Sequence, residues 1–159
     1  MIPSYEIISS GSKGNAAVID GKILIDCGVP FSMLEKHYKG LKAVLLTHIH
    51  GDHFKPSTIK RLAELRPALR FVCGGWLAAE LLKCGVKKRQ IDVLKPDELA
   101  KYKDFSVELF MLRHNMTNCG WKIYLNGSKV VANDNFNNSA YVSVKDGQYL
   151  VLNRCYVSE

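Results

Sequence analysis

The chain contains the stretch Ala43-Val44-Leu45-Leu46-Thr47-His48-Ile49-His50-Gly51-Asp52-His53, in which an apolar run ends in three histidines and an aspartate. The apolar part predicts a buried strand. Burying imidazole and carboxylate groups costs free energy unless they are paired or bound to a metal ion. The stretch therefore predicts a metal site at the end of a core strand.

The spacing of these four polar side chains favours two neighbouring ions. Alternate residues of an extended segment share a face and lie roughly 6–7 Å apart, so His48 and His50 are expected to face one cavity. Gly51 lets the chain turn and presents Asp52 and His53 to a second point. Nitrogen and oxygen ligands suit zinc, iron or manganese, and the lack of cysteine in the stretch argues against a closed structural zinc site. Surface histidines on a loop are the weaker interpretation.

Three segments of the chain resemble one protein superfamily. Residues 47–53 match the HxHxDH signature of the metallo-β-lactamase superfamily. Residues 9–15 and 24–28 resemble the SGSxGN and LIDCG segments of its small bacterial and phage members. The resemblance covers most of the chain and implies an α/β fold, a metallo-β-lactamase-like αββα sandwich. We expect a single domain over residues 1–159 in which the second half of that sandwich is incomplete.

His114 repeats the arrangement seen at His48, because it follows another predicted apolar strand over residues 105–112. A lone histidine in such a loop is more often without function. Beside the first cluster, a third ligand for the first metal is the favoured interpretation. The segment Asn118-Cys119-Gly120 is similar to a turn that follows the next histidine of the family.

Three aspartates are given roles, two of them through the resemblance. In the family an aspartate in a TDTG segment bridges the two metals, and Asp134 matches it although the segment here reads Asn-Asp-Asn-Phe. The family aspartate that matches Asp26 braces the histidine loop without binding metal. Asp52 is expected to be both a ligand and the catalytic residue that orients the nucleophile. The implied ligands are His48, His50, His114 and Asp134 for the first ion, and Asp52, His53 and Asp134 for the second.

The implied second site is short of one ligand. Relatives usually continue to a last histidine that completes it, and no histidine follows His114 in this sequence. Zinc is the expected metal, with iron or manganese as alternatives. The incomplete half is also expected to leave apolar surface exposed, which allows a homodimer.

A loop with two glycines precedes the second predicted strand. Gly11 and Gly14 permit backbone turns closed to other residues, and exposed amides in such a loop bind anions. A plain tight turn is the commoner outcome. In the family this loop borders the active site, so Ser12 and Asn15 are predicted to contact the substrate.

Composition limits the classes of function. The 159 residues carry a formal charge of +7, which favours polyanionic partners, although a solvated basic face explains it about as well. The five cysteines form no CxxC pair, so neither a disulfide framework nor a zinc ribbon is expected. No apolar run approaches the ~20 residues that span a bilayer, and we expect a cytoplasmic protein without a membrane partner.

Periodicity predicts the order of the elements. Three strands are expected before residue 27, with a hairpin turn at Asp20-Gly21. A helix is expected over residues 31–38 and another from Pro56 to Pro67. Strands and helices then alternate, and hairpins follow around Asn126-Gly127 and over the tail.

Metal-activated hydrolysis of a phosphodiester, in a nucleic acid or a nucleotide, is the leading hypothesis. Bound ions generate hydroxide near neutral pH and stabilise charge on the attacked group. A second hypothesis is a shortened relative that binds metal or nucleic acid without turnover. A third hypothesis is thioester or lactam hydrolysis. It predicts turnover that does not change with salt concentration, whereas the binding of a polyanion weakens as salt rises.

Overall fold

The computed structural model describes residues 3–112, 117–135, 141–145 and 149–155, with side-chain surroundings as far as residue 132. Its first sheet has six strands in chain order. Strands β1 to β3 are antiparallel, whereas β3 to β6 are parallel. They are Tyr5–Ser9 (β1), Ala16–Ile19 (β2), Ile23–Ile25 (β3), Ala43–Leu45 (β4), Arg70–Cys73 (β5) and Ile91–Val93 (β6).

The second sheet has the strand order β11-β12-β10-β9-β8-β7. Its neighbours are antiparallel except for β10 and β12, which run parallel. The strands are Leu99–Lys101 (β7), Phe105–Leu112 (β8), Asn118–Leu125 (β9), Ser128–Asn135 (β10), Tyr141–Lys145 (β11) and Tyr149–Cys155 (β12).

Two predicted hairpins have the turn geometry that their sequences favour. Asp20 and Gly21 have φ of 52° and 64°, and Asn126 and Gly127 have φ of 53° and 74°. Positive φ at both central residues matches the right-handed twist of the flanking strands, and it is why Asn-Gly and Asp-Gly pairs are favoured in such turns. These turns set the register of β2 with β3 and of β9 with β10.

Two helices, Pro56–Leu65 (α1) and Gly75–Lys83 (α2), make the crossovers from β4 to β5 and from β5 to β6. Alternation along the first sheet divides its core into two layers. Leu24 and Val44 belong to the cluster beneath the helices, whereas Ile25 and Leu45 belong to the cluster between the sheets. Because β3 and β4 are parallel, their carboxyl ends meet at one edge of the sheet. Asp26 follows β3 there, and the histidines follow β4.

The α/β sandwich predicted from the sequence is confirmed, with layers in the order helix, sheet, sheet over the described ranges. Across those ranges, both α-helices contribute to the core on the first sheet's outer face. None of the helices that the structure describes is long and apolar enough to cross a membrane.

One predicted helix is wrong and one strand was not predicted. In place of the helix predicted over residues 31–38 there are two short 3-10 helices, Phe31–Leu34 and Tyr38–Gly40, with no side-chain cap on either. So short a segment without caps gains too few hydrogen bonds to propagate an α-helix. Strand β7 has no apolar alternation in its sequence, and its pairing with β8 defines it.

Candidate metal centre

The centre lies where β3 and β4 end. The amide of Asp26 donates to the carbonyl of Leu45 over 2.8 Å, and the amide of Cys27 donates to the carbonyl of His53 over 3.0 Å. Asp26 has φ of 58°, a left-handed conformation that aspartate tolerates better than most residues. This backbone turn directs the carboxylate away from the strand and under the loop of residues 47–53, which we call the metal loop.

The Asp26 carboxylate holds both ends of the metal loop. Its Oδ1 accepts a hydrogen bond from the Thr47 amide over 2.9 Å, and the Thr47 hydroxyl lies within 3.0 Å of both carboxylate oxygens. Its Oδ2 lies 2.6 Å from Nδ1 of His53. Asp26, Thr47 and His53 are all buried. By these contacts Asp26 braces both ends of the metal loop, and its role in orienting metal ligands stays a prediction.

These contacts select the tautomers of two imidazoles. A carboxylate only accepts, so the Thr47 hydroxyl donates to Asp26 and accepts from Nδ1 of His48, 2.9 Å away. By the same reasoning Nδ1 of His53 carries the proton shared with Asp26. Each ring is left with an unprotonated Nε2, an atom that can bind a metal, and that of His53 lies 3.3 Å from Nδ2 of Asn15.

Two pairs of donor atoms face each other in the metal loop. Nε2 of His48 lies 3.1 Å from Nδ1 of His50, and Oδ2 of Asp52 lies 3.4 Å from Nε2 of His53. Two ligands that share one tetrahedral zinc at the usual bond lengths are about 3.3 Å apart. The ring centroids of His48 and His53 are 4.2 Å apart, so the two pairs are neighbours. The spacing within each pair fits one ion.

The described side chains do not complete either site by themselves. Across the part of the chain with described side chains, no three histidine, cysteine, aspartate or glutamate residues form a ready metal cluster. His114 lies outside the described residues. Asp134 lies in β10, where its backbone pairs with Arg154, and its side chain is likewise outside the description. The assignment of these two ligands stays a prediction.

Asn15 joins the glycine loop to the metal loop. Its Nδ2 lies 2.9 Å from both the Gly11 carbonyl and Oδ2 of Asp52, and 3.1 Å from the Asp52 carbonyl. Its Oδ1 accepts from the Gly11 amide over 3.1 Å. The side chain is 1 % exposed. This geometry supports a positioning role for Asn15, because its donors are used within the protein, and the predicted substrate contact of Asn15 stays a prediction. Ser12 is exposed in the same loop, and its substrate contact stays a prediction.

Asp52 lies at the meeting point of the two loops. Burial raises the pKa of its carboxyl, and the imidazoles of His53 and His50 offset part of that effect. The backbone of Asp52 is also packed closely, since a Cβ added to Gly28 would lie 1.8 Å from the Asp52 carbonyl oxygen. Only glycine at position 28 allows the metal loop to come this near.

Three side chains beneath the metal loop support it, and the sequence patterns did not identify them. The indole of Trp121 donates to the Leu46 carbonyl, and that of Trp76 donates to the Thr47 carbonyl, each over 3.2 Å. The Cys119 thiol lies 3.7 Å from the same Leu46 carbonyl. These residues read as ordinary core positions of a helix and a strand, so no local signal separated them from the core.

A buried amide lies at the strand end that leads back to His114. Both polar atoms of the Asn118 side chain are buried, and neither has a hydrogen-bond partner in the described structure. Leaving such a group unpaired costs about 1–3 kcal/mol. Buried groups of this kind are rare and call for an explanation by a bound water, an ion or a function.

Comparisons with known proteins give matches by structure. No protein-family profile and no curated protein sequence matches the chain. The metallo-β-lactamase fold protein YhfI from Bacillus subtilis matches with a TM-score of 0.64 at 20% identity, over 80% of this chain and 60% of that one. The short form of human tRNase Z matches with a TM-score of 0.60 at 17% identity, over 80% of this chain and 67% of that one. A B3 metallo-β-lactamase with an active-site glutamic acid matches with a TM-score of 0.62 at 19% identity, over 87% of this chain and 62% of that one. This chain thus spans about three fifths to two thirds of these structures.

Proposed function

We propose that this chain, which has the metallo-β-lactamase fold, is a metal-dependent hydrolase that cleaves phosphodiesters. The observation that carries the proposal is the pair of metal-donor sets in the metal loop, each spaced for one ion, with the Nδ1 protons of His48 and His53 fixed by hydrogen bonds that trace back to Asp26. A structural role alone does not require two imidazoles to be held in the metal-binding tautomer.

The chain's own residues would hold and orient the reacting groups. His48 and His50 would bind one ion, and Asp52 and His53 a second, with His114 and Asp134 as the further predicted ligands. Zinc is the proposed metal, with iron and manganese as alternatives suited to the same donors. When bound, such ions would supply a hydroxide near neutral pH and stabilise the negative charge that develops on the phosphoryl oxygens. Asp26 keeps the imidazoles aligned, and Asp52, held by Asn15, would orient the attacking water.

Charge supports a phosphodiester over a lactam or a thioester. The chain has 22 lysines and arginines against 15 aspartates and glutamates, and a positive surface attracts phosphate esters. The structural neighbours do not choose between substrates, because they include both a tRNase Z and a β-lactamase. A lactam with a single carboxylate would gain less from the positive charge than a polyanion does.

The test measures metal content and turnover in matched histidine variants. Zinc, iron and manganese per chain are determined by elemental analysis, and hydrolysis of bis-p-nitrophenyl phosphate and of single-stranded DNA is followed for the wild type. His50→Ala removes a predicted ligand. His37→Ala is its control, because His37 lies away from the centre and pairs with Glu6 over 3.0 Å.

The proposal expects bound metal and turnover in the wild type and in His37→Ala. In His50→Ala the metal content per chain should fall, and the hydrolysis rate should drop at least about a hundredfold. Metal below stoichiometry, with no activity above that of His50→Ala, supports a non-catalytic binding protein and contradicts the proposal. Turnover of a lactam or a thioester that is indifferent to salt, without phosphodiester cleavage, contradicts the choice of substrate.

A further inference from the structure

A groove adjoins the metal loop and follows the junction of the two α-helices. Its first part is a cavity of about 470 Å³ whose lining includes Ile49, Gly51, Pro56 and the oppositely charged Glu80 and Lys83. It continues into a second cavity of about 310 Å³ that Lys60 also lines. Pro56, Lys83 and one further side chain, that of Cys84, line both cavities, so the two are parts of one groove.

The groove begins beside a predicted metal ligand. Ile49 and Gly51 flank His50 on either side in the chain, and both line the first cavity. Ile49 is 37% exposed although its neighbour His48 is buried. An exposed isoleucine at this point offers an apolar surface to a flat ring, while His50 faces the donor atom of His48.

Positive charge increases along the groove away from the metal loop. Lys83 and Lys60 are 73% and 60% exposed. The stem of Lys60 lies over Gly85, since a Cβ added there would meet its Cγ at 3.4 Å and its Cδ at 3.7 Å. None of the six residues that line the second cavity is acidic.

Neither lysine is neutralised strongly. Lys83 pairs with Glu80 over 3.2 Å, and Lys60 lies 4.0 Å from Glu64. Exposed pairs of this kind contribute little free energy, so a phosphate competes with them readily. Both ammonium groups are therefore available to a polyanion.

We infer that this groove binds the sugar-phosphate backbone of single-stranded nucleic acid and leads it to the metal loop. Lys60 and Lys83 would contact successive phosphates, and a base near the scissile bond would lie against Ile49. Cavities of this size accommodate a small group such as one nucleotide. A charged groove with apolar contacts to bases is a general way of holding a single strand. This inference rests on the proposed function, because it names the substrate class of the same centre.

The test separates strand binding from catalysis. Binding of a short fluorescent oligothymidylate is measured by anisotropy across a salt series, with EDTA present so that no cleavage occurs. The groove variant is Lys60→Gln/Lys83→Gln. The control is Lys95→Gln/Lys101→Gln, which removes the same charge from exposed positions that do not line the groove. Hydrolysis of bis-p-nitrophenyl phosphate, which has no polynucleotide backbone, is measured for all three proteins with metal.

The groove variant is expected to bind at least about tenfold more weakly at low salt, with a salt slope reduced by about 1.4 for two lost phosphate contacts. Its hydrolysis of the small substrate should equal that of the control. The inference is overturned if the wild type does not bind the oligonucleotide, or if the groove variant loses no more affinity than the control. If binding depends on the groove lysines but no protein hydrolyses the small substrate, the inference about the groove is supported and the proposed function is refuted. If the small substrate is hydrolysed but binding does not depend on the groove lysines, the proposed function is supported and the inference about the groove is refuted.

Discussion

Nδ1 of His53 lies 2.6 Å from Oδ2 of Asp26, and both side chains are buried. The same carboxylate accepts from the amide and the hydroxyl of Thr47, which in turn fixes His48. One buried charge after β3 thereby sets the orientation of two imidazoles after β4. The parallel pairing of these strands makes this possible, because it brings their carboxyl ends to one edge.

Replacing Asp26 by asparagine should weaken metal binding while leaving the backbone conformation unchanged. Asp26→Asn keeps the size of the side chain, and asparagine tolerates the positive φ. Its amide donates where a carboxylate oxygen accepts, so either Thr47 or His53 loses its partner. We expect zinc affinity, measured by titration calorimetry, to fall about 10–100-fold.

A second aspartate provides the control for that change. Asp20 also has a positive φ, 52°, and forms an ion pair with Lys22 away from the metal loop. Asp20→Asn should bind zinc as the wild type does. If the two variants had the same zinc affinity, Asp26 would have no part in orienting the ligands.

Asn15→Ala should destabilise the fold and loosen Asp52. The substitution removes the hydrogen bonds to Gly11 and Asp52 and leaves buried groups unpaired, which costs about 1–3 kcal/mol. Urea unfolding measures the loss, and calorimetry should show weaker binding of the second zinc. Ser12→Ala, in the same loop but exposed, should change stability by less than about 0.5 kcal/mol. A rise in KM alone for Ser12→Ala would support its predicted substrate contact, whereas unchanged stability and zinc binding in Asn15→Ala would contradict its positioning role.

Gly28→Ala should be strongly destabilising because of crowding. The new Cβ would lie 1.8 Å from the Asp52 carbonyl oxygen, so the metal loop would have to move away. We expect a loss of about 3 kcal/mol in the free energy of unfolding. Gly75→Ala is the matched control, since nothing lies within 4 Å of a Cβ at the start of α2. It should be neutral or slightly stabilising, and equal losses in the two variants would show that close approach is not the cause.

The stability that Asp92 contributes should depend on pH. Desolvation alone would raise the pKa of its carboxyl, but hydrogen bonds from Arg70 and Tyr102 lower it overall. Nε of Arg70 donates over 3.0 Å and the Tyr102 hydroxyl over 2.6 Å. Because the folded-state pKa lies below the unfolded value, the contribution is present at neutral pH and is lost as pH falls through the folded pKa.

Asp92→Asn is therefore expected to lose about 1–2 kcal/mol at neutral pH, a value reduced from that of a buried pair because the site is partly exposed. Urea unfolding should show the difference from the wild type narrowing below about pH 4. Asp97→Asn, an exposed aspartate, should show little difference at either pH. If the difference in unfolding free energy between the wild type and Asp92→Asn stayed constant with pH, the lowered pKa of Asp92 would not be the cause of the stabilisation.

Local patterns predicted most of the elements, and the two failures had different causes, one local and one tertiary. The hairpin at Asn126 and the helix that begins at Pro56 follow from turn chemistry and apolar spacing. The segment after Pro30 has helical spacing, but it is too short and uncapped to remain α-helical. Strand β7 exists because β8 pairs with it.

The sequence by itself determined that imidazoles and a carboxylate follow a buried strand, and that Asp26 follows another, because strand length, turn residues and ligand types are local properties. Only the tertiary structure decided which atoms meet. The tautomers of His48 and His53, the capture of Asp52 by Asn15, and the support from Trp76 and Trp121 depend on contacts between segments distant in the chain. Hydrogen bonds act over about 3 Å, and that proximity is fixed by the packing of the strands.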